Sequence, residues 1–290
     1  MLTQGQRFKN KVVVVTGGNS GIGKSLAEAF VMEGGRVVVA DLCHEEDAAA
    51  TPAWWAYTCD VTDPLQVRHM IRAVRQKWGG IDIYCSNAGI MIHPPLSPQQ
   101  GTTTAAAVLN DHVARLSDAQ WGRVFRVNIQ SHVIAIRELI TDEDPWDGGI
   151  FVITASAAGL LAMLEDACYG TSKAAAVSFA EHLAIVHPQI QVHCLCPQSV
   201  DTPFIPEKLR HVPNSAVADG LVTPALVAAC TLDGIEKHSF WIFPHKKVPQ
   251  YVQIKATQHE RWLQGMQRFR ERLRRGHEGN AMESKIHSKL

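Results

Sequence analysis

The stretch that decides the fold is residues 11–23, Lys-Val-Val-Val-Val-Thr-Gly-Gly-Asn-Ser-Gly-Ile-Gly. Its first half is a β-branched run without polar alternation, which is typical of a parallel strand covered on both faces. Its second half places glycines at 17, 21 and 23, and apolar residues then recur at helical spacing up to Gly34. A strand, a glycine-rich turn and a helix within about thirty residues predict the first βαβ unit of a nucleotide-binding sheet.

The same alternation continues along the chain. Further strands are predicted at 36–40, 55–59, 81–85, 149–154, 191–196 and 240–243, and long helices at 118–140 and 166–186. Alternating strands and helices favour an α/β fold, a doubly wound parallel sheet of about seven strands with helices on both faces. We therefore predict a single Rossmann-fold domain over residues 1–276, with strand order 3-2-1-4-5-6-7.

Four segments interrupt or follow this alternation. A Pro-rich and then Thr/Ala-rich insertion covers about 92–117, and a substrate loop covers about 198–222, where loops border the ligand crevice of such sheets. A helix is predicted over about 250–275, with an apolar stripe on a basic background, and a flexible tail over 277–290. We expect this helix to pack on its own domain or a sister subunit rather than on a membrane surface.

Composition excludes several classes of partner. The 290 residues carry 28 Lys plus Arg and 28 Asp plus Glu, so no net charge would recruit nucleic acid or an anionic membrane. Neither a signal peptide nor an apolar run of about 20 residues is found, which predicts a cytoplasmic protein without a membrane partner. The seven scattered cysteines predict reduced thiols, with no disulfide framework and no metal site.

The glycine motif and one acidic residue predict the cofactor. Gly17 permits the sharp turn, Gly21 lets the backbone approach a pyrophosphate, and Gly23 lets the helix pack closely on the strand. Asp41 ends the second strand, where its carboxylate can accept both ribose hydroxyls of NAD. Neither Asn19 nor Leu42 offers the positive charge that a 2′-phosphate needs, so we predict NAD rather than NADP.

With these residues in place, the chain from about Asn10 to Phe243 resembles the short-chain dehydrogenase/reductase family. The family's motifs occur in order: the glycine motif, Asp60-Val61, Asn87-Ala88-Gly89, Asn128, Ser156 and Tyr169-x-x-x-Lys173. Ser156 stands thirteen residues before Tyr169, and Tyr169 and Lys173 share one helix face. The chain departs from the family at Gln198, where the sequence after the sixth strand usually has glycine.

The resemblance implies a set of site residues and an oligomer. Asn128, Ser156, Tyr169 and Lys173 are the implied catalytic residues, and a homodimer or homotetramer is implied. The implied cofactor-binding residues are Gly17, Asn19, Ser20, Gly21, Ile22, Gly23, Asp41, Leu42, Asp60, Val61, Asn87, Ala88, Gly89, Tyr169, Lys173, Pro197, Val200 and Thr202.

The implied chemistry is hydride transfer between a secondary alcohol or ketone and NAD(H). A phenol with an ordinary pKa near 10 is a poor base at neutral pH. We expect the ammonium of Lys173 and the positive ring of the oxidised cofactor to favour the Tyr169 phenolate. Ser156 is expected to hold the substrate oxygen, and Asn128 to anchor a water that links Lys173 to solvent.

The substrate is predicted less directly. Leu160, Leu161, Met163 and Leu164 are expected to line the crevice and to favour an apolar or ring-bearing small molecule. Asp166 is interpreted as a helix N-cap, Cys168 as a packed thiol and His93 as outside the pocket chemistry. Two alternatives remain open: the same fold acting on an imine or an activated double bond, and a non-catalytic sensor of NAD(H).

Overall fold

The computed structural model describes residues 6–43, 53–92, 116–205 and 219–275. Seven strands form one sheet: β1 (Val12–Thr16), β2 (Arg36–Asp41), β3 (Trp55–Thr58), β4 (Ile83–Ser86), β5 (Ile150–Thr154), β6 (Gln191–Leu195) and β7 (Trp241–Ile242). All described strand pairs are parallel, and the order is β3-β2-β1-β4-β5-β6-β7. The predicted fold class and strand order are confirmed.

Helices cover both faces of this sheet. They are α1 (Gly21–Met32), α2 (Pro64–Trp78), α3 (Asp118–Phe125), α4 (Ser131–Leu139), α5 (Ala157–Leu160), α6 (Ala167–Val186), α7 (Pro224–Glu236), α8 (Val248–Thr257) and α9 (His259–Arg275). A π-helical turn, Arg126–Gln130, joins α3 to α4, so the predicted helix over 118–140 is one rod with a widened turn at its centre. The predicted C-terminal helix is divided into α8 and α9 at Gln258.

The sheet separates two buried clusters, which explains the apolar run in β1. Val12 and Val14 pack into the cluster on one face, while Val13 and Val15 pack into the cluster on the other face. All four side chains are buried. A strand with both faces covered has no exposed position for a polar residue, so alternation is lost. Burying each of these side chains contributes about 1.5 to 3 kcal/mol to folding.

The predicted insertion at 92–117, the tail and His93 lie largely or wholly outside the described residues. The substrate loop is described only at its two ends, 198–205 and 219–222. Within the described ranges, no helix is both long enough and apolar enough to cross a membrane.

Candidate active site

One cleft of about 380 Å³ lies at the carboxyl edge of the sheet, beyond the ends of β1, β4, β5 and β6. This is the edge at which ligands bind in doubly wound sheets, because the strand order reverses there. Most of the predicted site residues line this cleft: Gly17, Ser20, Gly21, Ile22, Gly23, Asp41, Leu42, Asp60, Val61, Asn87, Ala88, Gly89, Ser156, Tyr169, Lys173, Pro197, Val200 and Thr202. Asn19 and Asn128 do not line it.

The glycine turn leaves no room for side chains. Gly17 has a φ of 64°, and a Cβ there would lie 2.9 Å from the Cα of Ala88. A Cβ on Gly23 would overlap the main-chain oxygen of Gly17. Side chains at either position would push the turn off β4, so glycine keeps the first amides of α1 open for an anion. This cradle fits the pyrophosphate of a dinucleotide.

The carboxylate of Asp41 is oriented by its own neighbours. Its Oδ2 accepts from the main-chain N–H of Asn19 at 3.0 Å, and its Oδ1 accepts from that of Leu42 at 2.8 Å. The Asn19 side chain bonds the main-chain oxygen of Cys43 instead of facing the cleft. Carboxylate oxygens accept more than one hydrogen bond each, so Asp41 retains capacity for two ribose hydroxyls. A 2′-phosphate at this place would meet a negative charge.

Asn87 ties together the strands under the cleft. Its main-chain N–H donates to Oγ1 of Thr16 at 2.9 Å, and its Nδ2 donates to the main-chain oxygen of Thr16 at 3.0 Å. Its Oδ1 accepts from the hydroxyl of Thr154 at 3.1 Å. One amide therefore links the ends of β1, β4 and β5, and it fixes the floor on which Ala88 and Gly89 lie.

Asp166 is the N-cap of α6, the helix that carries Tyr169. Oδ1 of Asp166 accepts from the main-chain N–H of Tyr169 at 2.9 Å, which confirms the predicted N-cap. The ring of Tyr169 lies beside that of Phe204, with 5.7 Å between centroids. Cys168 is fully buried in a small cluster with Leu116, as expected for a packed thiol.

In the protein without a cofactor, the pKa of Tyr169 is raised, whereas the sequence predicts that the phenolate is favoured. Burial raises the pKa of this phenol to about 12, and a hydrogen bond with Ser156 opposes the rise. Desolvation of the phenolate outweighs the neighbouring groups, because an anion loses its hydration in the cleft. The Ser156 hydroxyl also accepts from the N–H of Ala158 at 3.1 Å and lies 3.3 Å from the main-chain oxygen of Pro197.

Lys173 is buried one turn after Tyr169. Its Nζ donates to the main-chain oxygen of Thr154 at 2.7 Å and lies 5.8 Å from the ring centroid of Tyr169. Burial lowers the pKa of Lys173 to about 8. Because this pKa is close to physiological pH, Lys173 can release a proton as well as bind one.

Asn128 lies behind the cleft rather than in it. Its Oδ1 accepts from the N–H of Ile90 at 2.8 Å, and its Nδ2 donates to the main-chain oxygen of Ile90 at 3.0 Å and to the hydroxyl of Ser172 at 2.9 Å. A Cβ on Gly89 would lie 3.4 Å from both Asn128 Oδ1 and Lys173 Nζ. The side chain thus braces the Gly89 loop, and the π-helical turn displaces its backbone from regular helical pairing.

Sequence reasoning missed part of the lining. Two predicted side chains, Leu161 and Met163, line the cleft, but Leu160 packs against the core and Leu164 is not part of the lining. Apolar lining residues that were not named from the sequence include Ile90, Met91, Phe204 and Ile205. The last two lie within the predicted substrate loop, in the sequence Thr-Pro-Phe-Ile after the sixth strand. The first two follow the Asn87-Ala88-Gly89 motif directly and could have been inferred from that position.

A buried histidine was also missed. His132 is fully buried, and its Nδ1 hydrogen-bonds the hydroxyl of Ser86 at 2.7 Å. Burial and the nearby Lys173 lower the pKa of His132 to about 3. Its Nε2 has no hydrogen-bond partner in the part of the chain that the structure describes. No sequence pattern marks this pair, because its members lie 46 residues apart.

The sequence profile described as short chain dehydrogenase matches residues 11–212. Galactitol 2-dehydrogenase of Agrobacterium fabrum is 32% identical over 67% of this chain and 72% of its own length. (+)-Borneol dehydrogenase 1 of Salvia officinalis is 32% identical over 68% of this chain and 72% of its own length. Matches to curated relatives such as these span 62% to 88% of the relatives' length.

A solved structure agrees over more of the chain. A short chain dehydrogenase/reductase from Burkholderia phymatum, in complex with NAD, superposes with a TM-score of 0.70 at 25% identity. The superposition covers 88% of this chain and 95% of that one. The similarity therefore extends beyond the nucleotide-binding half to the elements that carry Tyr169 and Lys173.

Proposed function

The chain belongs to the short-chain dehydrogenase family and is therefore an oxidoreductase, and we propose that Tyr169 is the acid–base of its reaction. The enzyme interconverts a secondary alcohol and a ketone with NAD(H), the cofactor of the matching solved structure. The observation that carries the proposal is the position of Tyr169, Lys173 and Ser156 on one wall of the nucleotide cleft.

The roles follow from the geometry of these side chains. The bound nicotinamide accepts a hydride in alcohol oxidation and supplies one in ketone reduction. Tyr169 takes the hydroxyl proton of the alcohol, or returns it to the ketone oxygen in the reverse direction. Ser156 hydrogen-bonds Tyr169 and, through the same hydroxyl, orients the substrate oxygen. Lys173 stabilises the phenolate, since the Thr154 carbonyl holds its ammonium 5.8 Å from the ring centroid of Tyr169.

Asn128 contributes at one remove. Its side chain hydrogen-bonds Ile90 and Ser172. It therefore acts by fixing the Gly89 loop against Lys173. A water anchored by Asn128, as the family resemblance implies, would link Lys173 to solvent. Asn19 acts in the same indirect way, by orienting Asp41.

The substrate is an apolar or ring-bearing alcohol or ketone. Ile90, Met91, Leu161, Met163 and Phe204 give the cleft wall beside Tyr169 few hydrogen-bonding groups. Hydroxyls of a polyol would be left unpaired there, and each unpaired buried hydroxyl costs about 1 to 3 kcal/mol. The named substrates of two relatives, galactitol and (+)-borneol, differ widely in polarity. The proposed substrate class therefore rests on the apolar lining of this cleft and not on the relatives.

Two larger features belong to the proposal. Residues 1–276 form one domain, since every described strand belongs to the same sheet. The protein is a homodimer or homotetramer, and the exposed apolar residues Ile185 and Val186 at the end of α6 support a protein contact there. Sedimentation of the purified protein tests the second point, and a monomer at micromolar concentration would contradict it. Cytoplasmic location stays a prediction.

The function is tested by ligand titration and a substrate panel. We expect NAD to raise the melting temperature at concentrations where NADP does not. We then expect nicotinamide absorbance at 340 nm to rise with cyclic and aromatic secondary alcohols, and not with galactitol. Stabilisation by NADP alone would contradict the reading of Asp41. Faster turnover of the polyol than of every apolar alcohol would contradict the substrate class.

A further inference from the structure

His245, which follows β7 in the chain, holds the segment that follows β6. The main-chain N–H of Gln198, which stands where the family usually has glycine, donates to Nδ1 of His245 at 3.1 Å. Nε2 of the same ring bonds the main-chain oxygen of Ser199 at 3.1 Å. His245 is 5% exposed. An acceptor at Nδ1 and a donor at Nε2 require a neutral ring with its proton on Nε2.

Gln198 is held at its side chain as well. Its amide hydrogen-bonds the carboxylate of Asp219. The same carboxylate accepts from Nζ of Lys247 at 2.8 Å and from the hydroxyl of Tyr251 at 3.1 Å. The main chain of Gln198 is thereby bonded to His245 and its side chain to Asp219. These two bonds fix Gln198 at a position where the family usually has glycine.

These contacts reach the cofactor side of the cleft. Pro197, next to Gln198, accepts from the N–H of Ala157 at 2.8 Å through its main-chain oxygen. Ser199 accepts a second bond, from the N–H of Val222 at 3.1 Å. Thr202, three residues further on, stands against the glycine turn: a Cβ on Gly21 would lie 3.1 Å from its Cγ2. The predicted cofactor-binding residues Pro197, Val200 and Thr202 all lie in or beside the segment that His245 fixes.

We propose that His245 is a positioning residue for the nicotinamide end of the cofactor, acting through the main chain of Gln198 and Ser199. The inference rests on the proposed function, because it requires that this segment contacts the nicotinamide. It assigns a role to a residue outside the motifs of the family. It also predicts that the adenosine and pyrophosphate end of the site, built by Gly17 and Asp41, is independent of His245.

Protonation of His245 would break the arrangement. A charged imidazole carries a proton on Nδ1 and cannot accept the N–H of Gln198. Burial lowers the pKa of His245, and the charge of Asp219 and the Ser199 carbonyl oppose that shift. The other charged or titratable groups near the ring are Lys247 and Tyr251, which share Asp219. Nicotinamide-end affinity therefore decreases as the pH falls, while the ring takes up its proton.

Binding of two ligands to the full-length protein tests this role. NADH carries the nicotinamide, and ADP-ribose carries the rest of the cofactor without it. His245→Leu removes both ring bonds, and His245→Asn keeps an acceptor near the place of Nδ1 but cannot titrate. His182→Asn, on the exposed side of α6, is the matched control. Dissociation constants are measured by fluorescence for NADH and by calorimetry for ADP-ribose, at pH 7.5 and pH 5.

We expect His245→Leu to weaken NADH about tenfold at pH 7.5 and to leave ADP-ribose within about twofold. His245→Asn is expected to bind NADH within about threefold of wild type and to lose the wild-type weakening at pH 5. Equal weakening of both ligands in His245→Leu, or no weakening of either, would overturn the role.

If His245→Leu does not fold, the wild-type protein decides: NADH must weaken at pH 5 relative to ADP-ribose, and an unchanged ratio overturns the inference. Wild-type protein that binds no NADH at pH 7.5 would overturn the proposed function and this inference together. If the wild-type protein binds NADH and His245→Leu binds both ligands with wild-type affinity, only the inference is overturned.

Discussion

Nζ of Lys173 donates a hydrogen bond to the main-chain oxygen of Thr154 at 2.7 Å, which fixes a buried cation at the end of β5. A buried ammonium that is free to rotate would be a weak partner for a phenol. Anchored in this way, it stays 5.8 Å from the ring centroid of Tyr169. The anchor is a main-chain atom of the central sheet, so the fold itself sets the electrostatics of the acid–base.

Replacing Lys173 with Met is expected to lower kcat by about 100-fold or more, the scale of a lost acid–base contribution. The loss should be greatest at low pH, because burial already raises the pKa of Tyr169 to about 12 and the change removes a positive charge that favours the phenolate. Steady-state rates of alcohol oxidation between pH 6 and 10 measure both effects. Lys237→Met, an exposed change at the end of α7, should leave the profile as in wild type. An unshifted pH profile in Lys173→Met would contradict the assigned role.

Asp41→Asn should reduce the preference for NAD over NADP by about tenfold or more, since hydrogen bonds to a charged acceptor are worth about 1.5 to 3 kcal/mol. The neutral amide also removes the repulsion of a 2′-phosphate. The ratio of kcat/KM for the two cofactors measures the change. Glu181→Gln, an exposed loss of the same charge on α6, provides the control. A ratio that stays constant in Asp41→Asn would show that another group selects the cofactor.

Gly23→Ala should abolish NAD binding or prevent folding, because its Cβ would overlap the main-chain oxygen of Gly17. Gly80→Ala is the matched control: a Cβ there meets no atom within 4 Å among the residues described. Melting temperatures with and without NAD distinguish the two variants. We expect Gly80→Ala to retain the full shift with NAD. Gly23→Ala with a wild-type melting temperature and NAD affinity would refute the close-packing argument.

His132 predicts a loss of stability in acid. Its pKa is lowered from 6.5 to about 3, so between these values the unfolded chain holds more protons and stability falls as the pH falls. From pH 7.5 to pH 5 this one group costs about 2 kcal/mol of unfolding free energy. Urea unfolding of His132→Leu should therefore show a smaller acid loss by about that amount, even if the variant is less stable overall. His182→Gln should keep the wild-type loss, and an equal loss in His132→Leu would be the contrary result.

Much of the sheet was predictable, because its strands follow from one-dimensional patterns. The apolar runs at β1, β2, β5 and β6 fell within one residue of their predicted bounds. The Asp166 cap was predictable for the same reason, since a cap depends on residues three apart. The division of the C-terminal helix at Gln258 was not, because no proline or glycine stands between Tyr251 and Trp262 to mark a break.

The supporting contacts of the site could not be predicted. The anchor of Lys173 is a main-chain carbonyl, which every residue possesses, so no residue type marks it. The His132–Ser86 pair and the His245 contacts join residues 46 or 47 positions apart through the folded sheet. The departure at Gln198 was visible, but its compensation by His245 and Asp219 depends on where β7 brings the C-terminal segment.

Single-turnover measurement with Tyr169→Phe tests the central claim most directly. The variant keeps the ring and its contact with Phe204, so NADH affinity should stay within about threefold of wild type. The rate of hydride transfer to an apolar ketone should fall at least about 1,000-fold, because the Tyr169 phenol delivers the proton and Lys173, whose Nζ donates to the main-chain oxygen of Thr154, acts through it. Tight NADH binding with a rate within tenfold of wild type would contradict the assignment of Tyr169 as the acid–base.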